Sequence, residues 1–174
     1  ILLLLKRKKT MAITSAICNS FKSEILQGGH CLNASGSTAA GNTIKCALYS
    51  ANDATLSAST TVYAAPADAA ADPTSTYEVT TTSSGYSSGG NTLTNIDVAL
   101  DSSTAICDFA NSSWTSASFT ARGLLLYNTT AITGFTTNRS ILAINFGGDK
   151  TVTSGTFTIE FPAAAASTAI IQLA

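Results

Sequence analysis

Few residues of this chain carry side chains that could do chemistry, and their spacing forms no known site. There are four cysteines and one histidine, His30. The cysteines show neither a CxxC pair nor a Cys/His zinc spacing, and one histidine cannot complete a Cys2His2 site. Because we expect no signal peptide, we predict reduced, buried thiols at Cys18, Cys31, Cys46 and Cys107. We predict no metal site and no cofactor.

Hydrolytic chemistry has equally little support in the residues. The chain contains no GxSxG motif, and no serine and aspartate motif accompanies His30 as a catalytic triad would need. Paired carboxylates of a glycosidase stay open on sequence alone. However, Glu24, Glu78 and Glu160 each have an ordinary explanation as a surface group or an ion-pair partner. We therefore predict that the protein is not an enzyme and has no catalytic residue.

Length and charge limit the remaining function classes. With 174 residues, the chain has room for one domain with a sizeable core. Charged residues make up 11%, far below the usual quarter, and serine and threonine supply much of the polarity. Four cations lie at residues 6–9, so the rest of the chain has five Lys/Arg against ten Asp/Glu, a net charge near −5. This balance argues against nucleic-acid binding, which needs a basic patch.

The first ten residues, ILLLLKRKKT, precede the single methionine, Met11. Five apolar residues are too few for a membrane span or for the apolar core of a signal peptide, and the positive charges follow them rather than precede them. We interpret residues 1–10 as a translated leader, with a disordered basic tail as the alternative. We place one domain at residues 11–174 and predict no membrane association.

One helix is predicted, at residues 15–27. Thr14 or Ser15 would cap its N-terminus, and Gly28 with the glycine after it would end it. The apolar residues of this segment fall on one stripe of the helix. Such a stripe indicates a helix that packs on one end of a sheet, with a partner-binding helix as the alternative. The apolar residues of this stripe are Ile17, Cys18, Phe21, Ile25 and Leu26.

The other elements are predicted strands. Residues 43–50 alternate, with Ile44, Cys46 and Leu48 on one face. Residues 92–100 and 104–109 form a hairpin, short strands lie at 60–63 and 77–82, and Ile170, Ile171 and Leu173 belong to a final strand. Residues 51–76 are an Ala/Ser/Thr/Asp-rich surface loop, either a contact arm or a mobile loop. Residues 83–91, SSGYSSGGN, form a glycine-rich turn and not a phosphate cradle.

The core of the sheet is predicted at residues 119–161, as three apolar strands separated by turns. FGGDK at 146–150, where glycine supplies a positive φ, and DKTVTSG at 149–155 are predicted turns. Arg122 lies inside the first of these strands, so we expect it to pair with Asp108 or Glu160. Trp114 sits in a polar run and is predicted to be a partial lid on the core, with an exposed interface anchor as the alternative. The fold class that follows is all-β: an antiparallel, jelly-roll-like β-sandwich with one short N-terminal α-helix.

Five segments of the chain follow one another in a distinctive order: FKSEILQGGH, IKCALYSANDATLSASTTVY, GYSSGGNTL, FTARGLLLYN and NFGGDKTVTSGTFTIEFP. In this order they resemble a family of small virion structural proteins of tailed bacteriophages. The resemblance runs from about residue 21 to residue 174, although Cys31, Cys46 and the alanine-rich stretch at 64–76 depart from the familiar pattern.

The resemblance implies a non-enzymatic structural protein, a capsid decoration or cement protein on the outer surface of the phage head. It implies the phage major capsid protein as partner and a homo-oligomer, with a trimer by analogy to decoration proteins at threefold positions. A tail, neck or fibre component is the first alternative. A carbohydrate-binding module for host attachment is the second, and it would need a row of exposed aromatic residues such as Tyr49, Tyr63, Tyr77 and Tyr86.

Overall fold

A computed structural model describes residues 13–34, 41–50, 56–63, 78–79 and 85–174. In this part of the chain two antiparallel sheets pack against each other beside one short helix, which confirms the predicted all-β sandwich. Residues 1–10 and most of the predicted loop at 51–76 lie outside the described residues. The elements are β1 (Ala16–Ile17), α1 (Asn19–Leu26), β2 (Ile44–Tyr49), β3 (Asn91–Thr92), β4 (Asn95–Asp101), β5 (Thr104–Phe109), β6 (Ser112–Asn128), β7 (Arg139–Ile159) and β8 (Ile171–Leu173).

The larger sheet has the strand order β1-β7-β6-β2-β3, and the smaller sheet has the order β4-β5-β8. The predicted hairpin is confirmed, because Asp101 pairs with Thr104 and Leu100 with Ala105 across its turn. The predicted C-terminal strand is also confirmed, since β8 pairs with β5 through Ile171 and Cys107. Both ends of the described chain are therefore tied into sheets, β1 into the larger and β8 into the smaller.

The main core lies between the two sheets, and a second cluster covers the other face of the larger sheet. On β2, Ile44, Cys46 and Leu48 point into the main core, as their alternation predicts. Ala47 and Tyr49 point the opposite way and are also completely buried. The second cluster surrounds them with Ile13, Leu56, Tyr63, Leu125, Tyr127 and Ala143.

The helix is shorter than its predicted range of residues 15–27. Ala16 and Ile17 form β1 and pair with Ala143 and Leu142 of β7, so sheet pairing replaces the first helical turn. The N-cap position is Cys18, without a side-chain cap, and the predicted caps at Thr14 or Ser15 are wrong. The predicted end is right, because Gly28 has a φ of 78°. Phe21 of α1 is buried in the main core, so the helix packs on the sheet.

The predicted central block is two strands rather than three. β6 has 17 residues and β7 has 21, and they pair along almost their whole length as one antiparallel ribbon. The predicted turns at 146–150 and 149–155 are wrong, because β7 continues through both. The turn-forming residues produce bulges instead: Ala121 pairs with Lys150 and Gly123 with Asn145, so Arg122 alone faces residues 146–149.

This bulge divides the ribbon into two parts. We call residues 123–128 with 139–145 the near half, and residues 112–121 with 150–159 the far half. Gly147, with a φ of 73°, supplies the left-handed backbone that the bulge needs. The glycines and threonines in this part of β7 therefore mark a change of pairing register between β6 and β7, and the chain does not reverse its direction there.

The segment at residues 85–90 has the predicted turn conformation. Gly90 shows why a glycine is required, since a Cβ atom there would lie 1.7 Å from the carbonyl oxygen of Cys46. Of the two predicted short strands, the first is reduced to a single bridge between Val62 and Arg139, and the second lies mostly outside the described residues. Within the described ranges, no helix is long and apolar enough to cross a membrane.

Candidate functional site

The residues that could do chemistry are dispersed and buried. No group of three or more His, Cys, Asp or Glu side chains that could hold a metal ion occurs among the described residues. All four cysteines are thiols; three are buried, as predicted, whereas Cys31 is half-buried. Burial raises the pKa of Cys18 to about 12 and raises the pKa of Cys46 further. Thiols held in their neutral form are weak nucleophiles, so these two cysteines are packing residues.

His30 has both ring nitrogens engaged. Its Nε2 lies 2.8 Å from Glu24 Oε2, and its Nδ1 lies 3.1 Å from Asn128 Nδ2. Burial, with a smaller effect of the nearby Arg139, lowers the pKa of His30, so the ring is neutral at pH 7. A neutral ring that faces a carboxylate on one side and an amide NH2 on the other carries its proton on Nε2. Neither nitrogen is available to act as a general base.

Arg139 is a completely buried cation that the sequence analysis did not single out. Its Nη1 donates to the carbonyl oxygen of Thr136 at 2.5 Å, and its Nη2 donates to that of Gly29 at 2.7 Å. The guanidinium carbon lies 5.5 Å from the centre of the Phe135 ring. Burial lowers the pKa of Arg139, but Glu24 opposes this shift. The side chain thus joins the β6–β7 connection to the segment after α1.

Glu78 is a second buried charge, only 4% exposed, enclosed by hydrogen-bond donors. Its Oε1 accepts hydrogen bonds of 2.7 Å from both the Tyr86 hydroxyl and the Gly89 N–H. Its Oε2 accepts a hydrogen bond of 3.0 Å from the Tyr63 hydroxyl. The Tyr127 ring stacks on Tyr63 at 4.2 Å. These contacts satisfy the carboxylate and fasten residues 85–90 to the larger sheet.

The burial of these tyrosines removes the basis of one alternative function. Tyr49, Tyr63 and Tyr86 are at most 6% exposed, and Tyr77 lies outside the described residues. Burial raises the pKa of Tyr63 and Tyr86 well above the ordinary value, so both hydroxyls stay protonated as donors. The predicted row of exposed aromatic residues for a carbohydrate surface is therefore wrong at the three described positions.

The prediction that Trp114 covers the core is right in placing it against the core, whereas the predicted partners of Arg122 are wrong. Trp114 is 3% exposed and lies in β6, with its ring 6.1 Å from that of Phe157, so it is a core residue and not an interface anchor. Arg122 pairs with Asp149 at 3.1 Å, inside the bulge, and not with Asp108 or Glu160. Sequence reasoning missed this partner because the sequence was assigned a turn at the position where the bulge faces Arg122.

The feature that best fits a functional surface is an uncovered apolar face beside β7. Among the described residues, no strand pairs with the outer edge of β7 beyond Ala143. The inner face is only partly covered there, since Phe146, Phe157 and Ile159 are half-buried. A cleft of about 600 Å³ lies there, lined by apolar side chains and by Lys150 and Glu160. The apolar lining includes Leu124, Ile144, Phe146, Phe157, Ile159 and Ile170.

A second apolar cleft, of about 350 Å³, lies between the end of α1 and the smaller sheet. His30, Cys31 and Cys107 contribute to its lining. Its rim is open, because Val98 and Leu173 are 44% and 54% exposed. Apolar side chains exposed to this extent next to a cleft are typical of contact surfaces.

Comparisons with protein-family models, with curated proteins and with solved structures found no match to this chain.

Proposed function

We propose that this protein is a non-enzymatic structural component of a tailed-phage virion, a capsid decoration or cement protein on the outer surface of the assembled head. The order of the five resembling segments supports the assignment to the virion. The structural observation that carries the decoration role is the open apolar face beside β7, where Phe146 and Phe157 are only half-buried. A protein that acts by contact alone needs such a surface on a rigid scaffold.

The energetics of the proposal follow from mass action. A protein that binds the assembled shell but not its free subunits stabilises the shell by the free energy of binding. The apolar cleft would supply that free energy through burial, at about 25 cal/mol per Å² of apolar surface. Many copies around symmetry axes would add avidity to the individual contacts.

The partner in this proposal is the phage major capsid protein, and the protein itself is a homo-oligomer, a trimer by analogy. It would be made in the cytoplasm of the bacterial host and would act on the finished particle. The Ser/Thr-rich outer face of the ribbon supports a role in a crowded assembly, since hydroxyls keep the surface polar without strong mutual repulsion.

Imaging of the purified virion by cryo-electron microscopy tests where this protein lies in the phage particle. Density for the β-sandwich in hundreds of copies on the outer shell would support the decoration role. Copies in sixes or twelves at one vertex would transfer the protein to the tail or neck. Absence from the particle would overturn the proposal.

The contact surface has its own test, because two residues of β7 point to opposite faces. Phe157, which lines the cleft, pairs with the buried Trp114 on the inner face, and Thr151 pairs with Thr120 on the outer face. We expect Phe157→Lys to weaken binding to heads that lack the protein by at least about tenfold, and Thr151→Lys to leave it unchanged. Equal effects of the two substitutions would reject this face as the contact surface, provided both variants keep their circular dichroism spectra.

A further inference from the structure

The contacts of His30 have a consequence that does not depend on the proposed function. We infer that His30, Glu24, Asn128 and Asn42 form an acid-sensitive latch, which holds residues 28–34 closed over the cleft beside the smaller sheet and releases them when the imidazole gains a proton. The latch joins four parts of the chain: α1, the segment after it, the residues before β2 and the end of β6.

The argument rests on the orientation of the Asn128 amide, which its neighbours fix. Its Oδ1 accepts a hydrogen bond of 2.9 Å from the N–H of Thr130. Its Nδ2 donates to Asn42 Oδ1 at 2.8 Å. A flip of the amide would break both contacts, so the NH2 group must face His30 Nδ1. Nδ1 is therefore an acceptor in the closed state.

Protonation of Nδ1 turns this contact into a repulsive one. The new N–H would point at the NH2 group of Asn128, two donors at 3.1 Å, and the hydrogen bond between them would be lost. Asn128 cannot rotate to offer its oxygen without breaking its contacts to Thr130 and Asn42. The repulsion between the two donors can therefore be relieved only if the segments that these amides connect move apart.

The charged groups around the ring act in opposite directions. Glu24 of α1 favours the imidazolium, whereas Arg139 of β7 and the burial of the ring disfavour it. From the end of β6, the ring meets the uncharged amide of Asn128, which in turn donates to the uncharged amide of Asn42 before β2. Among the described residues, the carboxylate is outweighed, and the pKa of His30 lies below its ordinary value.

The latch controls the cleft because the same segment forms one of its walls. The Cys31 N–H donates to Asn42 Oδ1 at 2.8 Å, so the amide that orients Asn128 also holds the residue after His30. The next residue, Leu32, is buried, and its carbonyl oxygen lies 3.8 Å from the sulfur of Cys107 on the floor. Release of residues 28–34 would expose Cys107, which is 3% exposed in the closed state.

Nitrogen-15 NMR of the full chain between pH 8 and pH 4 tests the closed state directly. We expect the Nε2–H tautomer at neutral pH and a midpoint of His30 titration below about 6.5. An Nδ1–H tautomer, or a midpoint at or above the ordinary value, would overturn the latch. This measurement needs no substitution and therefore stays decisive if a variant fails to fold.

Thiol labelling tests the opening. In a Cys31→Ser background, a disulfide reagent that stays reactive in acid (4,4′-dithiodipyridine) should modify Cys107 faster at pH 5 than at pH 7. The gain should grow with the amount by which the pKa of His30 is lowered, up to a limit of about 25-fold that the ordinary pKa of about 6.5 sets for this pH interval. His30→Gln, which does not titrate, should show no such gain; an equal gain in that variant would overturn the proposal.

Asn128→Asp provides the opposite control. A carboxylate oxygen would accept the Nδ1–H of the imidazolium, so protonation should no longer open the latch. The donor to Asn42 is lost at every pH, so the readout is the ratio of the labelling rates at pH 5 and pH 7. We expect His30 to titrate at a higher pH in this variant and the acid-induced labelling of Cys107 to disappear. Acid-induced labelling at the wild-type rate in a folded Asn128→Asp protein would argue against the role of the amide.

Discussion

The near and far halves of the β6–β7 ribbon belong to the same two strands but have different surroundings. In the near half, Leu124 and Leu126 lie in the main core, and Leu125 and Tyr127 lie in the second cluster on the other face. In the far half, only one face packs on the core, through residues such as Trp114. The other face carries pairs of hydroxyls in solvent, one of them Thr120 with Thr151 at 2.8 Å, and a second formed by Ser113 and Thr158.

The comparison shows that the contribution of a strand to stability depends on which side chains cover each of its faces rather than on its backbone pairing. Both halves form ladders of antiparallel pairs, but β2 and β1 flank the near half, and Leu56 and Tyr63 cover it. The far half lacks such cover on its outer face. We therefore expect the near half to hold the fold together. The contacts proposed above use the inner face of the far half instead, where Phe157 and Ile159 line the cleft.

The largest expected effect comes from removing a side chain in the near half. Leu126→Ala removes a completely buried side chain from the main core and should lower the free energy of unfolding by about 2–5 kcal/mol. Val152→Ala in the far half removes a half-buried side chain and should cost about 1 kcal/mol. Urea unfolding measures both, and equal losses would contradict the difference between the halves.

The next effect concerns the anchoring of residues 85–90 on the near half. Glu78→Ala leaves the hydroxyls of Tyr63 and Tyr86 and the N–H of Gly89 without their acceptor. We expect a loss of roughly 3 kcal/mol in the free energy of unfolding. Glu160→Ala is the matched control, because Glu160 is exposed and its removal should change stability by less than about 0.5 kcal/mol.

A smaller effect should appear with pH, because His30 joins the end of the near half to α1. Its pKa is lowered in the folded state, so the unfolded chain binds the proton first as the pH falls. The stabilisation is complete above about pH 6.5 and is lost as the pH falls through the folded pKa, by about 1.4 kcal/mol per unit of difference. Urea unfolding at pH 7.5, 6.5 and 5.5 should show this decline in the wild type and a smaller one in His30→Gln.

The smallest effect is expected in the bulge between the two halves. Asp149→Ala removes the partner of Arg122, but the Asp149 side chain is 62% exposed, so solvent screens the pair. We expect the free energy of unfolding to fall by less than about 1 kcal/mol, and less still in high salt. A larger loss would contradict the view that the side chains covering the near half, and not the bulge, hold the ribbon together.

Local patterns in the sequence predicted much of the sandwich. The alternation at 43–50 and the turn at Asp101 predicted β2 and the β4–β5 hairpin, because both depend on neighbouring residues. Two predictions failed because distant partners decided the outcome. Ala16 and Ile17 became a strand by pairing with β7, and the glycines at 147–148 became a bulge by facing β6.

The buried polar groups could not be predicted for the same reason. Glu78 meets Tyr63 and Tyr86, and His30 meets Asn128 across almost a hundred positions of sequence. No local spacing encodes such contacts. No sequence pattern pointed to Arg139 at the start of β7, and only the carbonyl oxygens around it show why it is buried.

The pairing of β6 with both β7 and β2 also sets an order of folding events. The pairing of β6 with β7 closes only the short loop at residues 129–138, so it costs little chain entropy. The partner of Ile44, by contrast, is Asn128, so β2 must wait for a strand that the ribosome makes much later. During synthesis, the two-residue strand β3 is the one named strand that can pair with β2 before β6 emerges, and it pairs only with Lys45 and Cys46. Of the remaining residues of β2, Ala47 to Tyr49 are completely buried in the folded chain and therefore stay exposed as an apolar stretch until β6 is made.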